Sequence, residues 1–440
     1  MEKTCKTNNK TLKKQKTVSI ITLGCKVNTY ESEVMYKRLC DLGYEVTPKL
    51  CYADYYVINT CGVTNTAEQK SRAYVAKINK LNPKAKIYAC GCSTALHCDK
   101  FTEKPNVKGV FGVYNKLDIV DAIVKDSNGV YIEEPKTKFL EGTLSKTNRT
   151  RTVIKIQDGC NQFCSYCIIP YTRGRERSRS LEDIKKELEF HSTTTKEIVL
   201  VGINIAGYGK DFKDGTSLID VIKLFDKYPN MRIRFSSFEM GAVDEPLLKE
   251  FKKHPNFCDF FHLSLQSGED ETLKKMNRHY STKEYKDIVK LIRKYYPFAN
   301  ISTDVIVGFP TETDEQFNKS LKFVESIGFG NVHVFPYSKR DGTVASRYGE
   351  LNGLIVSDRT KQMIEVTEKS ALNFLKKNLG RTEECLIEKK GKDFFTGFTK
   401  NYIHIYIDKS ANVEPNKIYK VKLVSLFEQG IKGEIINEKL

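Results

Sequence analysis

The sequence predicts an α/β fold in three parts: an N-terminal α/β parallel-sheet domain, a central partial (β/α)6 TIM-like barrel, and a small all-β barrel at the C-terminus. Three observations predict it. Short apolar runs alternate with helical stretches from Thr17 to about Leu117, which implies parallel strands joined by helical crossovers. The alternation then recurs six times in residues 146–376, two units short of the closed eight-unit form. Beyond Gly380 the runs become short and alternating, with Gly or Asn turns between them, as in small all-β barrels.

The elements follow in order. Residues 1–16 are a lysine-rich polar arm, expected to be disordered; a solubilising tail and an RNA-gripping arm both fit it. In residues 17–127, TVSIITLG, DYYVINT and KIYAC read as strands, with helices over 31–42 and about 67–81. The polar stretch 126–148 reads as a linker carrying one edge strand. In residues 146–376 the strands are TVIKIQDG, EIVLVGINI, RIRFSSFE, FFHLSLQSG, STDVIVGFP and NVHVFPYS. Cys160, Asn204, Ser237, Glu239, Gln266 and Tyr337 each follow an apolar strand core, where barrels of this kind place their chemistry. Residues 377–440 hold ECLIEKK, FTGFTKNYIHIYID and YKVKLVSLF. Their interleaved lysines and aromatics (Phe394, Phe395, Phe398, Tyr402, Tyr406) suit RNA stacking, although core packing would explain many of the same rings.

Composition narrows the function classes. The 440 residues allow two or three domains, and 40% hydrophobic with 11% aromatic content marks a globular chain. A net charge of +17 favours a polyanionic partner such as nucleic acid; a generally basic surface is the plainer reading. No apolar run is long enough to cross a bilayer and no apolar stretch backs the N-terminal lysines, so a cytoplasmic protein without a membrane partner is expected. Thirteen cysteines, an odd number, point to metal binding or reactive thiols rather than disulfides.

Cys160, Cys164 and Cys167 form CxxxCxxC in GCNQFCSYCIIPYTRG, directly after a strand. Electron-transfer iron–sulfur clusters usually take four cysteines, so three leave one iron open, as catalytic metal sites keep a free position. In radical S-adenosylmethionine (SAM) chemistry the amino and carboxylate groups of SAM fill it. Zinc would want a fourth Cys or His close by, and none stands at suitable spacing. Cys25, Cys61 and Cys92 each sit just past the C-terminal end of a predicted parallel strand, so one sheet edge brings them together. Simple buried thiols are the competing reading. Cys90 competes with Cys92, although strand alternation points it into the packing. Cys5, Cys40, Cys51, Cys98, Cys258 and Cys385 read as incidental or core residues.

Other residues carry two readings each. Gly202 and Asn204, then Ser237 and Glu239, are candidates to contact SAM; a strand-ending turn accounts equally for the first pair. Gln266, with Ser267 and Gly268, extends that wall or caps the next helix. Arg173, Arg175, Arg177 and Arg179 are a positive patch for phosphate or carboxylate, or a solvated surface run. The seven histidines show no metal-ligand spacing, and His262 reads as a core or barrel-lining residue.

In TLGCKVNTYESE, INTCGVT, GCNQFCSYCIIPYTRGRERSR, EIVLVGINIAGYG, RIRFSSFE, HLSLQSGEDETLKKMNRHY, TDVIVGFPTET and VHVFPYSKRDGT, in that order, the chain resembles the radical SAM methylthiotransferases beyond its lysine arm. The C-terminal part resembles their TRAM domain. TLGCKVN and LSLQSG resemble the MtaB branch, whereas the related MiaB enzymes more often carry Gln-Met-Asn after the first cysteine. The resemblance implies addition of a methylthio group to carbon 2 of N(6)-threonylcarbamoyladenosine at tRNA position 37. It implies a radical SAM 4Fe–4S cluster on Cys160, Cys164 and Cys167, and an auxiliary 4Fe–4S cluster on Cys25, Cys61 and Cys92, with Gly91 marking Cys92 as the ligand. One SAM would give the methyl group and another the radical. The partners implied are tRNA, a flavodoxin- or ferredoxin-like electron donor and a sulfur source. Ser93, Thr94 and Ala95 depart from the family's usual Tyr-Ala-Gln. Three alternatives remain: the same reaction on N(6)-isopentenyladenosine tRNA, the same reaction on a ribosomal protein side chain, and a non-catalytic iron–sulfur or zinc module that binds RNA.

Overall fold

This computed structural model describes residues 15–133, 139 and 150–439. The expected basic arm, except residues 15 and 16, and most of the expected linker lie outside the described residues. The N-terminal domain is a six-stranded parallel sheet in the spatial order Glu45–Thr47, Thr17–Thr22, Tyr55–Thr60, Lys86–Gly91, Val107–Phe111, Gly129–Tyr131. Tyr55–Thr60 is buried at all six positions, as a central parallel strand covered on both faces must be. The edge strand expected in the polar stretch is Gly129–Tyr131.

The first helix runs over Lys26–Asp41, five residues earlier than expected. Val, Asn and Thr in that first turn are poor helix formers. Tertiary bonds override them: Asn28 Nδ2 donates to the carbonyls of Leu23 (2.8 Å) and Thr60 (2.9 Å). The next helix, Asn65–Leu81, begins where Thr64 Oγ1 accepts from the Ala67 amide at 3.1 Å, a standard N-cap.

The central domain contains the six expected strands: Arg151–Lys155, Glu197–Val201, Arg232–Phe235, Phe260–His262, Asn300–Val307 and Asn331–Pro336. They form two three-stranded parallel sheets, joined by isolated bridges Ile233–Phe257 and Phe238–Leu263. The result is an open barrel in sequence order. Ile301, Val305 and Val307 pack with Tyr285, Val289, Phe317 and Val324 of the surrounding helices. Period-two alternation therefore turns Asn300, Ser302 and Asp304 to the barrel interior.

The helix Gly353–Asn378 leads into a closed five-stranded barrel. It docks on the central domain through the Arg232 guanidinium, which donates to the carbonyls of Phe398 (3.0 Å) and Glu384 (2.9 Å). Asn401 Nδ2 donates to the Phe298 carbonyl at 3.1 Å. This docking corrects part of the aromatic reading. Phe395 is core, and Phe398 and Tyr402 stack on each other, with centroids 4.6 Å apart, against Arg151 and Arg234. Only Phe394 and Tyr406 of the five remain on the outer face, grouped with Phe427 under Lys432. No helix among the described residues is long and apolar enough to cross a membrane.

Candidate metal centre and active site

The CxxxCxxC loop leaves the first central strand at Gly159. There φ is +73° and a Cβ would lie 2.0 Å from the Arg175 carbonyl oxygen, so only glycine fits. The loop is held on several sides. Cys160 N donates to Gly174 O (3.0 Å), Cys167 N to Cys164 O (2.9 Å) and Ser165 N to Met276 O (2.9 Å). Asn277 Nδ2 donates to Phe163 O at 3.0 Å. Burial, reinforced by the neighbouring Cys164 thiol, pushes Cys160 up to about 12, against an opposing bond from the Gln162 amide. Cys167 is raised by the same burial and crowding. Thiolates packed this way need a cation among them, which is the donor chemistry of an iron–sulfur cluster.

The second triad stands on the N-terminal sheet edge. Cys25 is exposed and precedes the first turn of Lys26–Asp41; Cys61 and Cys92 are buried. A Cβ on Gly24 would fall 2.7 Å from Cys61 Sγ, and one on Gly62 3.2 Å from Cys92 Cβ. Burial pushes Cys61 up to about 11, and the Cys92 and Cys25 thiols add to it. Gly91, at φ +114°, lies so close to Thr60 that a Cβ would be 2.5 Å from its carbonyl oxygen. Cys90 turns the other way, into the core with Val57, Tyr88 and Phe111.

Three of the four arginines are neither a phosphate grip nor a solvated surface, which corrects both sequence readings for Arg173, Arg177 and Arg179. Arg173, Arg177 and Arg179 are buried. Arg173 bonds Glu31 (2.9 Å), Asp158 (3.1 Å) and Asn28 (2.8 Å). Arg177 pairs with Asp158 at 2.9 Å, and Arg179 pairs with Glu187. Lys116 and Lys155 complete the cluster on Glu31, at 2.5 and 2.9 Å. Burial alone would raise the Glu31 carboxyl, but Arg173, Lys116 and Lys155 hold it well below the usual carboxylate range. Only Arg175 is exposed, over the Phe163 ring at 4.5 Å.

The candidate SAM residues divide into two groups. Glu239 reaches the cysteine loop: Arg278 pairs with it while donating to Cys164 Sγ at 3.3 Å and to Tyr280 Oη at 3.1 Å. Gly202 and Asn204 lie over Gln157, and Asn204 Nδ2 donates to Glu176 at 2.7 Å. Ser237 is half-buried with no hydrogen-bonded side-chain partner among the described residues. Gln266 takes a left-handed φ of +69° and pairs through its backbone with Asp304 and Ile306. The buried Asn204 Oδ1, Ser267 Oγ and Tyr337 Oη have no hydrogen-bond partner among the described residues, and such orphaned atoms suit a polar cofactor. Sequence reasoning missed Arg278, Tyr280 and Glu176. Arg278 and Tyr280 are read only once the Met276–Asn277 turn folds under the loop. His262 is corrected in part: its Nε2 is 3.3 Å from Asp304, whose other oxygen is 3.0 Å from His333 Nδ1, and the three side chains bring ligand atoms within 4.8 Å of one another, a metal-capable grouping that sequence spacing did not show.

Comparison with known proteins places this geometry. Residues 154–324 match the family model "Radical SAM superfamily", and residues 17–112 match "Uncharacterized protein family UPF0004". The threonylcarbamoyladenosine tRNA methylthiotransferase MtaB of Thermotoga maritima is 37% identical over 94% of this chain and 96% of its own length. The chain belongs to the radical SAM methylthiotransferase family. MtaB of Bacillus subtilis is 34% identical over 93% of this chain and 94% of its own length. A tRNA-2-methylthio-N(6)-dimethylallyladenosine synthase of Clostridium tetani is 33% identical over 95% and 96%. The solved radical SAM methyltransferase TsrM from Kitasatospora setae aligns with a TM-score of 0.50 at 13% identity, over 73% of this chain and 75% of that one, which supports the shared fold. As a radical SAM methylthiotransferase this chain is an enzyme, and SAM and 4Fe–4S clusters are its cofactors.

Proposed function

We propose that the chain adds a methylthio group to carbon 2 of N(6)-threonylcarbamoyladenosine in tRNA. One observation carries the reading: Ile169, two residues after Cys167, packs against Cys92, and Arg173 from the same segment bonds Glu31 and Asn28 of the helix that follows Cys25. The segments that carry the two thiol triads therefore meet. In this reading Cys160, Cys164 and Cys167 hold one 4Fe–4S cluster and Cys25, Cys61 and Cys92 a second. The first cluster, when bound, supplies the electron that cleaves SAM, and the second the site for sulfur.

The protein's own share is positioning. Glu239, oriented by Arg278, faces the cysteine loop as an acceptor for the SAM amino group. Asn204 offers its unpaired Oδ1, and Gly202, Ser237 and Gln266 complete the wall around SAM. The buried ion cluster of Glu31, Arg173 and Asp158 fixes the N-terminal triad against the barrel and excludes water. Phe394, Tyr406, Phe427 and Lys432 on the C-terminal barrel, read as a TRAM domain, give tRNA a stacking face with a cation above it. Electrons come from a flavodoxin- or ferredoxin-like donor and sulfur from a separate source, in the cytoplasm.

Mass spectrometry of nucleosides tests the substrate. The reconstituted enzyme, given SAM and a reductant, is expected to methylthiolate tRNA carrying threonylcarbamoyladenosine. Product only from isopentenyladenosine tRNA would instead establish the MiaB-type reaction, which relatives such as the Clostridium tetani enzyme perform by name.

A further inference from the structure

Lys26 is the first residue of its helix, directly after Cys25, and its side chain is open to a cavity of about 710 Å³. Arg234, Asn300, Asn331 and His333 from the barrel and Tyr402 from the C-terminal domain line the same space. The two arginines around Lys26 are already engaged, and Lys389 is exposed on a neighbouring wall outside this cavity. Arg151 is paired with Glu388 at 2.7 Å, and Arg234 with Glu197 at 3.1 Å while stacked on Tyr402. Asp304 is held by His262 and His333. The other carboxylates on the cavity wall, Glu368 and Glu428, are exposed. Lys26 alone of the cations lining this cavity has no carboxylate within ion-pair distance among the described residues.

An ammonium in a concave, partly desolvated site gains most from an anion brought in by the substrate. We propose, building on the threonylcarbamoyladenosine reading, that Lys26 binds the threonyl carboxylate of the substrate and thereby selects the modified adenosine. The adenosine must sit beside the Cys25 triad for its carbon 2 to react, which brings its N(6) substituent within reach of the neighbouring side chain. A dimethylallyl group in that place would leave the ammonium unpaired against hydrocarbon, so the same residue disfavours the wrong substrate.

Binding and turnover of the reconstituted holoenzyme test this. The RNA probes are anticodon stem–loops carrying threonylcarbamoyladenosine, its carboxyl methyl ester, or unmodified adenosine. Wild type should bind the free acid on the order of 10- to 100-fold tighter than the ester, the range of one charge-assisted hydrogen bond. K26Q should bind acid and ester alike, with a raised KM on the threonylcarbamoyl substrate, and K26R should recover most of the preference. Iron per chain, measured on each variant, must equal wild type for the comparison to count against Lys26 rather than the cluster. The same acid-to-ester ratio in K26Q as in wild type would overturn the proposal while leaving the substrate reading intact. A wild type that does not methylthiolate this tRNA would overturn the substrate reading itself, and equal binding of acid and ester by wild type would overturn the role of Lys26.

Discussion

Glu31 of the N-terminal domain and Arg173 of the central barrel meet in a fully buried ion pair at 2.9 Å. Around them four cationic side chains, Lys116, Lys155, Arg173 and Arg177, share two carboxylates, Glu31 and Asp158. The excess positive charge stands within electrostatic reach of Cys61 and Cys92. One cluster thus joins two domains and sets the potential behind a thiol triad.

Removing the shared carboxylate should part the domains. Glu31→Gln leaves Arg173, Lys116 and Lys155 buried without their common anion, and breaking such a cluster costs about 3–5 kcal/mol. A lower thermal unfolding midpoint is expected, with an earlier transition assignable to the N-terminal sheet by hydrogen exchange. Unchanged protection across the Lys26–Asp41 helix would sink this account of the interface.

Arg278 ties Cys164 to Glu239, by a 3.3 Å bond to the sulfur and an ion pair to the carboxylate. Hydrogen bonds to ligand sulfurs raise a cluster's reduction potential. Arg278→Gln should therefore lower the midpoint potential of the cluster on Cys164 and leave Glu239 to repel the added electron. Potentiometric titration followed by electron paramagnetic resonance reads the shift, and an equal or higher potential would refute the bond's electronic role.

Much of this was legible in the sequence because it depends on local pattern. The six strands from Arg151–Lys155 to Asn331–Pro336 show their apolar periodicity, and Cys160, Cys164 and Cys167 show their spacing. The arginines at 173, 177 and 179 were not legible. A charge run carries no sign of burial, and their carboxylate partners lie as far as 142 residues away. Phe398 and Tyr402 misled for the same reason: whether an exposed-looking ring faces RNA or Arg234 depends on how one domain docks on another. The early start of Lys26–Asp41 was hidden because the side chain of Asn28, rather than helix propensity, anchors that turn.

The outer face of the C-terminal barrel makes a separable contribution. Lys432 stands 4.5 Å from the Phe427 ring centroid, beside Phe394 and Tyr406. If this face stacks on RNA, Phe394→Ala should weaken tRNA binding by roughly 1–3 kcal/mol, and Lys432→Gln should flatten the salt dependence of log K by about one unit. Both variants should keep the wild-type unfolding midpoint. Phe398→Ala, in contrast, removes docking contacts and should lower that midpoint. Filter binding at several salt concentrations separates the cases, and an unaltered slope for Lys432→Gln would remove that residue from the RNA contact.

The two thiol triads should separate cleanly by metal content and by chemistry. Wild type is expected to hold about eight irons per chain after anaerobic reconstitution, four per cluster. Replacing Cys25, Cys61 and Cys92 together with Ala should leave about four, and SAM should still be cleaved to 5′-deoxyadenosine on reduction, because the cleaving loop and its Arg278–Glu239 brace are untouched. Replacing Cys160, Cys164 and Cys167 should also leave about four irons but abolish cleavage. Both variants should lose methylthiolation. Cys90→Ala is the internal control: its thiol points into the core with Val57 and Phe111, so iron content should stay at the wild-type level while stability falls slightly. Loss of half the iron on Cys90→Ala, with none lost on Cys92→Ala, would reverse the register of the N-terminal site, because Gly91 would then be holding the wrong cysteine at the sheet edge.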